Sequence, residues 1–178
     1  MPHIHTGPGE HDHTASAIII RTDGDQPRLL LHMHKKLGHL LQLGGHIELN
    51  ETPWQAVLHE ITEESGYLPS QLRLLQPRLR IKKLDRTVVH PQPVVHATHA
   101  FSSIDHNHID ILYAFVTNEE PAQAPGNGES TDLRWLTKRE IQNLPEDIIY
   151  KDTIETCEYI LESIISEWEA VPLSDYQS

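Results

Sequence analysis

Residues 52–66, TPWQAVLHEITEESG, spell out a helix with both ends marked. Thr52 carries the side-chain oxygen an N-cap needs, and Gln55 three residues on completes a capping box. Pro53 suits the first helical position, where its missing N–H is no loss. Gly66 sits where a left-handed residue closes the last turn. The signals predict a helix over Pro53–Ser65. Trp54, Val57, Leu58 and Ile61 give it a side to bury. Each residue of a helix advances about 100°, so Glu60, Glu63 and Glu64 share another, narrow face, with Ala56 leaving room one turn before. Three carboxylates on one stripe repel by about a few tenths of a kcal/mol per pair. A solvated surface face tolerates that, and so does a face that binds cations.

The segments around this helix read as strands. ASAIIIR (15–21) and RLLLHMH (28–34) flank the turn formers TDGDQP. Further strands are expected near Leu72–Ile81, Val94–Phe101 and His108–Val116. The last has apolar residues in both alternate sets, as expected of a strand covered on both faces. After the polar loop Glu119–Ser130, DLRWLT reads as a final strand and KREIQNL as a short helix. A C-terminal helix over Lys151–Trp168 shows an apolar stripe of Ile154, Cys157, Leu161, Ile164, Ile165 and Trp168. The order gives an α/β or α+β fold, a mixed β-sheet covered by at least two helices. The expected organisation is an arm over residues 1–13, a domain over 14–170 and a tail over 171–178.

The chain has 178 residues and a formal net charge of −12, which opposes binding to nucleic acid polymers or acidic membranes. Its single cysteine, Cys157, forms no internal disulfide and sits on an apolar stripe, so a packed thiol is expected. No secretory signal or membrane-length apolar run is present, and the expected setting is the cytoplasm. The 14 histidines include four i, i+2 pairs: His3/His5, His11/His13, His32/His34 and His106/His108.

The acidic helix is the second half of a longer pattern. Gly45, Glu51, Glu60, Ile61, Glu63, Glu64 and Gly66 stand at seven of the nine fixed positions of a 23-residue run from Gly45 to Tyr67. From composition alone, such a match has a chance on the order of 10⁻⁵. The run closely resembles the Nudix box. It departs in two places, His59 for the usual arginine and Tyr67 for an aliphatic residue that it can replace in packing. The resemblance implies an α/β/α sandwich and hydrolysis of a phosphoanhydride in a nucleoside diphosphate linked to another group.

By the same resemblance, Glu60 and Glu64 are the leading metal ligands, with Glu63 next. Oxygen ligands alone suit magnesium or manganese rather than zinc, and a zinc-protease helix would need histidine at position 63. Gly45 shapes the loop, where the Gly44 or Gly45 backbone can approach the metal closely, and Gly66 ends the helix. Glu51 orients loop and helix. The general base stays open among Glu63, Glu60 and a distal acid, Glu129. His59 should face Glu51 as a brace. An arginine there is always charged, whereas histidine charges only near or below neutral pH.

Recognition of substrate is less marked. Lys35, Lys36, Arg80, Lys82, Lys83 and Arg86 are available for phosphates, with Arg80 the candidate among them for substrate. Phe101, Tyr113, Phe115 and Trp135 could stack on a base, but core packing is expected of each. His106, His108 and Asp110 share one face of a strand and form a second metal- or substrate-binding set, although a polar strand start explains them more simply. Two rival readings remain. One is a non-catalytic domain binding a nucleotide-like ligand or a protein. The other is a hydrolase with zinc on His59 and Glu63.

Overall fold

The computed structural model describes residues 9–100 and 107–176. Strand β1 (His11–Arg21) is the axis of the sheet. It runs parallel to β7 (Asn107–Thr117) along its whole length, from His11 opposite Asn107 to Arg21 opposite Thr117. Its other edge is shared. The C-terminal part pairs antiparallel with β2 (Arg28–His34), and the N-terminal part with β4 (Leu43–His46). β3 (His39–Leu41) and β8 (Leu133–Thr137) flank β2, while β5 (Arg73–Gln76) and β6 (Val95–Ala100) pair with β7. β9 (Glu169–Pro172) closes on β5. The result is a mixed sheet, as expected.

Alternation along β1 divides the interior into two layers. Ala15, Ala17 and Ile19 face helix α1 (Pro53–Ser65), which contributes Trp54, Val57 and Ile61. Ile18 and Ile20 face the other way, towards Leu29, Leu31, Leu112 and the C-terminal helical segment. That segment begins as α3 (Lys151–Tyr159), after the short α2 (Lys138–Gln142). It continues through a π-helical turn (Ile160–Ile164) to Glu167. Cys157, Ile160 and Ile164 are buried there. Helices on both faces give the α/β/α sandwich.

α1 has the bounds and caps that its sequence predicts. Thr52 and Gln55 form the reciprocal capping box, and Gly66 adopts the left-handed conformation at φ 76°. Other expectations change. The strand predicted to reach Ile81 stops at Gln76, because Pro77 has no N–H to continue the ladder. Leu79 beyond it is 94% exposed. The buried Gln76 side chain instead bonds both ways with the Gln92 backbone, at 2.8 and 2.9 Å, and so ties off residues 77–92. DLRWLT is not the final strand, since β9 follows the helix. His11–His13, assigned to an arm, are part of β1, and Leu173 in the assigned tail is buried.

Candidate active site

The loop into α1 is tight because main chain meets main chain. Gly44, at φ 147°, lies against β1, where an added Cβ would stand 2.5 Å from the Ala15 carbonyl oxygen and 2.7 Å from Ser16 Cα. This close approach lets the Gly44 N–H donate to Glu64 Oε2 at 2.7 Å. Gly45 pairs with Ala15 beside it. The residue just before the box therefore fixes one of the box carboxylates with a backbone donor.

Glu60 and Glu64, one turn apart, are only 4% and 6% exposed. Desolvation by burial pushes the Glu60 carboxyl up to about 7, and Glu63, Glu129 and Glu51 add to it against the opposing effect of His59. Burial pushes Glu64 up to about 9, opposed by the Gly44 hydrogen bond and reinforced by Glu60, Glu129 and Glu63. His32 of β2 lies 3.7 Å from Glu64 through Nδ1, but burial lowers its own pKa to about 4. It faces the acid as a neutral ring. Two dry carboxylates accompanied by a neutral imidazole suit a hard divalent cation, which would remove the desolvation cost that raises both pKa values.

Glu63 differs from its neighbours. Its carboxylate is 51% exposed and accepts from His59 Nε2 at 3.0 Å. The other His59 nitrogen, Nδ1, lies 3.3 Å from Glu51 Oε1. His59 thus bridges the loop acid and the helix acid. Burial works to lower its pKa, but the Glu63 hydrogen bond and the charges of Glu63, Glu51 and Glu60 outweigh this, and the net direction is upward.

Glu129 comes to the group from the far side. Its loop is tied to the end of α1, where Gly126 N–H donates to the Glu63 carbonyl at 2.7 Å and Gln123 N–H to the Gly66 carbonyl at 3.3 Å. Lys35, considered for phosphates, donates instead to the Gly128 carbonyl. Arg80 is engaged elsewhere. Its guanidinium is buried against Glu169 at 2.7 Å, the Pro77 carbonyl and the Tyr176 hydroxyl. It fastens the segment after β5 to the chain end, which corrects its assignment to substrate. Tyr113 and Phe115 are core residues packed on Trp54. His106 and Phe101 lie outside the described residues. His108 and Asp110 are buried on β7, where Asp110 accepts hydroxyl bonds from Thr14 at 2.8 Å and Ser16 at 2.6 Å.

The family model of the NUDIX domain matches residues 12–157. The chain belongs to the NUDIX family of hydrolases. A NUDIX-family hydrolase from Clostridium perfringens is 30% identical, with a TM-score of 0.68 over 85% of this chain and 96% of that one. C. elegans Ap4A hydrolase shares the fold at 17% identity and a TM-score of 0.59, over 83% and 93% of the two chains. The NUDIX domain of Shewanella oneidensis NrtR, solved with ADP ribose, does so at 15% identity and 0.55, over 85% and 88%. No curated protein matches the chain. Among the described residues no helix is long and apolar enough to cross a membrane.

Sequence reasoning about this NUDIX site missed His32, which stands on the strand beside α1. The alternation of RLLLHMH puts His32 on the same face as the buried Leu30, and that parity was the available signal.

Proposed function

We propose that this NUDIX hydrolase is a magnesium- or manganese-dependent pyrophosphohydrolase. Its substrate is a nucleoside diphosphate linked to another group, in a cytoplasmic setting, and the bond cleaved is a phosphoanhydride. The observation that carries the reading is the buried pair Glu60 and Glu64, whose carboxyls are raised to about 7 and about 9. Carboxylates so placed are costly to ionise unless a cation joins them. When bound, the ion supplies charge neutralisation for the diphosphate and activation of water.

Each acid then has a distinct role. Glu60 and Glu64 hold the ion, with the Gly44 N–H fixing the Glu64 rotamer. Glu63 is the secondary ligand, because His59 already shares its carboxylate. Glu51 orients the loop through His59. Glu129 raises the pKa of both buried acids and is a group to take a proton from water. Residues around Gly45 and Gly66 fix the two ends of the arrangement.

The test is product release over nucleotide sugars, dinucleoside polyphosphates, dinucleotides, ADP-ribose and nucleoside triphosphates, with each metal. At least one class should turn over, and Glu60→Gln or Glu64→Gln should reduce the rate by more than about 100-fold. Full activity in both variants sinks the ligand assignment. Tight binding without turnover on every class would mean a binding domain.

A further inference from the structure

The acids of α1 lie on one face of the sheet, and a second group of metal-binding side chains converges on the other. Asp12 stands opposite His108 in the parallel β1–β7 pair, and His46 stands opposite Thr14 in the antiparallel β1–β4 pair. Asp12, Thr14 and His108 have the parity of Ile18, Ile20, Leu112 and Ala114, which face the C-terminal helical segment rather than α1. We propose that Asp12, His46 and His108 form a binding site for one divalent transition-metal ion of the zinc class, separate from the glutamate site. The proposal is independent of the hydrolase reading.

Geometry carries it. One ligand atom from each of the three residues lies within 4.8 Å of the other two. His46 Nε2 and Asp12 Oδ2 are 3.4 Å apart. Two ligands at roughly 2.0–2.1 Å from a tetrahedral ion stand about 3.3–3.4 Å apart, so this edge already has the spacing that zinc requires. The rings of His46 and His108 have centroids 5.1 Å apart and planes 79° apart, so they meet edge-on and do not stack. Asp12 and His108 are buried, and His46 is half-buried. The three residues come from three strands, so the sheet hydrogen bonds hold the set, and little of it depends on flexible loops.

Chemistry selects the ion. Two imidazoles and one carboxylate favour zinc, cobalt or iron(II) over magnesium and calcium, which prefer oxygen. Three protein ligands leave a coordination position open to water or to an oxygen of a bound molecule. Asp110, next along the same face of β7, is held by Thr14 and Ser16 and keeps a second carboxylate near the set.

The experiment is cobalt titration of the full chain in excess magnesium, followed by visible absorption and displaced by zinc. The native protein should bind one equivalent with bands of a four- or five-coordinate site. Asp12→Asn, His46→Asn and His108→Asn should each weaken that binding by about 100-fold or more. A His3→Asn/His5→Asn protein and a Glu60→Gln/Glu64→Gln protein should keep the bands, because neither replaces one of the three proposed ligands. Circular dichroism checks each fold, and His46→Asn, at the half-buried member of the set, provides the reading where substitution of a buried ligand unfolds the chain. Native-like binding in the folded triad variants overturns the proposal. So does loss of the bands in the Glu60→Gln/Glu64→Gln protein, which would put the ion on α1.

Discussion

Replacing Glu60 by glutamine should stabilise the metal-free protein while destroying its activity. In the unfolded chain the carboxyl titrates near its ordinary 4.5, and in the folded protein near 7. The folded state therefore keeps the proton to higher pH. The resulting penalty is absent below pH 4.5, grows as pH rises to about 7, and is full above that. At 1.36 kcal/mol per pH unit the gap corresponds to about 3 kcal/mol at pH 8. Glutamine never ionises, but burying its amide costs about 1–2 kcal/mol, so about 1–2 kcal/mol of stabilisation remains. For a domain of this size that is a rise of roughly 2–8 °C in Tm. The assay is thermal unfolding in chelator at pH 8 and pH 5, for native and variant. The advantage of the variant should be clear at pH 8 and absent or reversed at pH 5, where the Glu60 penalty falls to about 1 kcal/mol. Added magnesium should then raise the Tm of the native protein more than that of the variant, by mass action. A variant that melts no higher than native at pH 8, with no change in the difference at pH 5, refutes the argument that Glu60 is an unfavourably buried charge.

Other outcomes test neighbouring parts. His59 has a raised pKa, so its charged bridge is complete below its ordinary 6.5 and is lost as pH rises through the folded value. Accordingly, His59→Arg should gain in kcat/KM relative to native as pH goes from 6 to 8.5, and superimposable profiles would dismiss the brace. Gly44→Ala drives a Cβ into the β1 backbone, and should cost about 2–4 kcal/mol by denaturant unfolding. Cys157, buried and pushed up to about 12, should react with a thiol reagent only at the rate of global unfolding. Glu129→Gln should lower the pH at which the Glu60 and Glu64 carboxyls ionise, shifting the acidic limb of the rate profile downward.

What could be read from the sequence was what is local. The caps of α1 lie within four residues of the backbone groups they satisfy, so Thr52, Gln55 and Gly66 marked its ends directly. The shared face of Glu60 and Glu64 follows from helical period alone. Their burial does not, because it depends on Gly44 from before the helix and on the loop of Glu129, more than 60 residues after it. Arg80 misled for the same reason, as its partner Glu169 lies 89 residues downstream. The strand expected to reach Ile81 ends at Gln76 because Pro77 has no N–H for the ladder. His106, His108 and Asp110 pointed to one strand, whereas among the described residues the cluster joins His108 from that strand to Asp12 and His46 from two others. Strand pairing made that association, and the spacing within a single segment held no record of it.

The end of α1 has a use beyond stopping a helix. A Cβ on Gly66 would stand 1.8 Å from the Gln123 carbonyl oxygen, and the loop that carries Glu129 is sewn to Glu63 and Gly66 through backbone groups. Main-chain stitches are indifferent to which side chains hang from them. The side chains of Gln123, Ala124 and Asn127 are therefore free to drift over evolutionary time without moving Glu129. Gly66 is not, because any side chain there unseats the loop as well as the helix terminus.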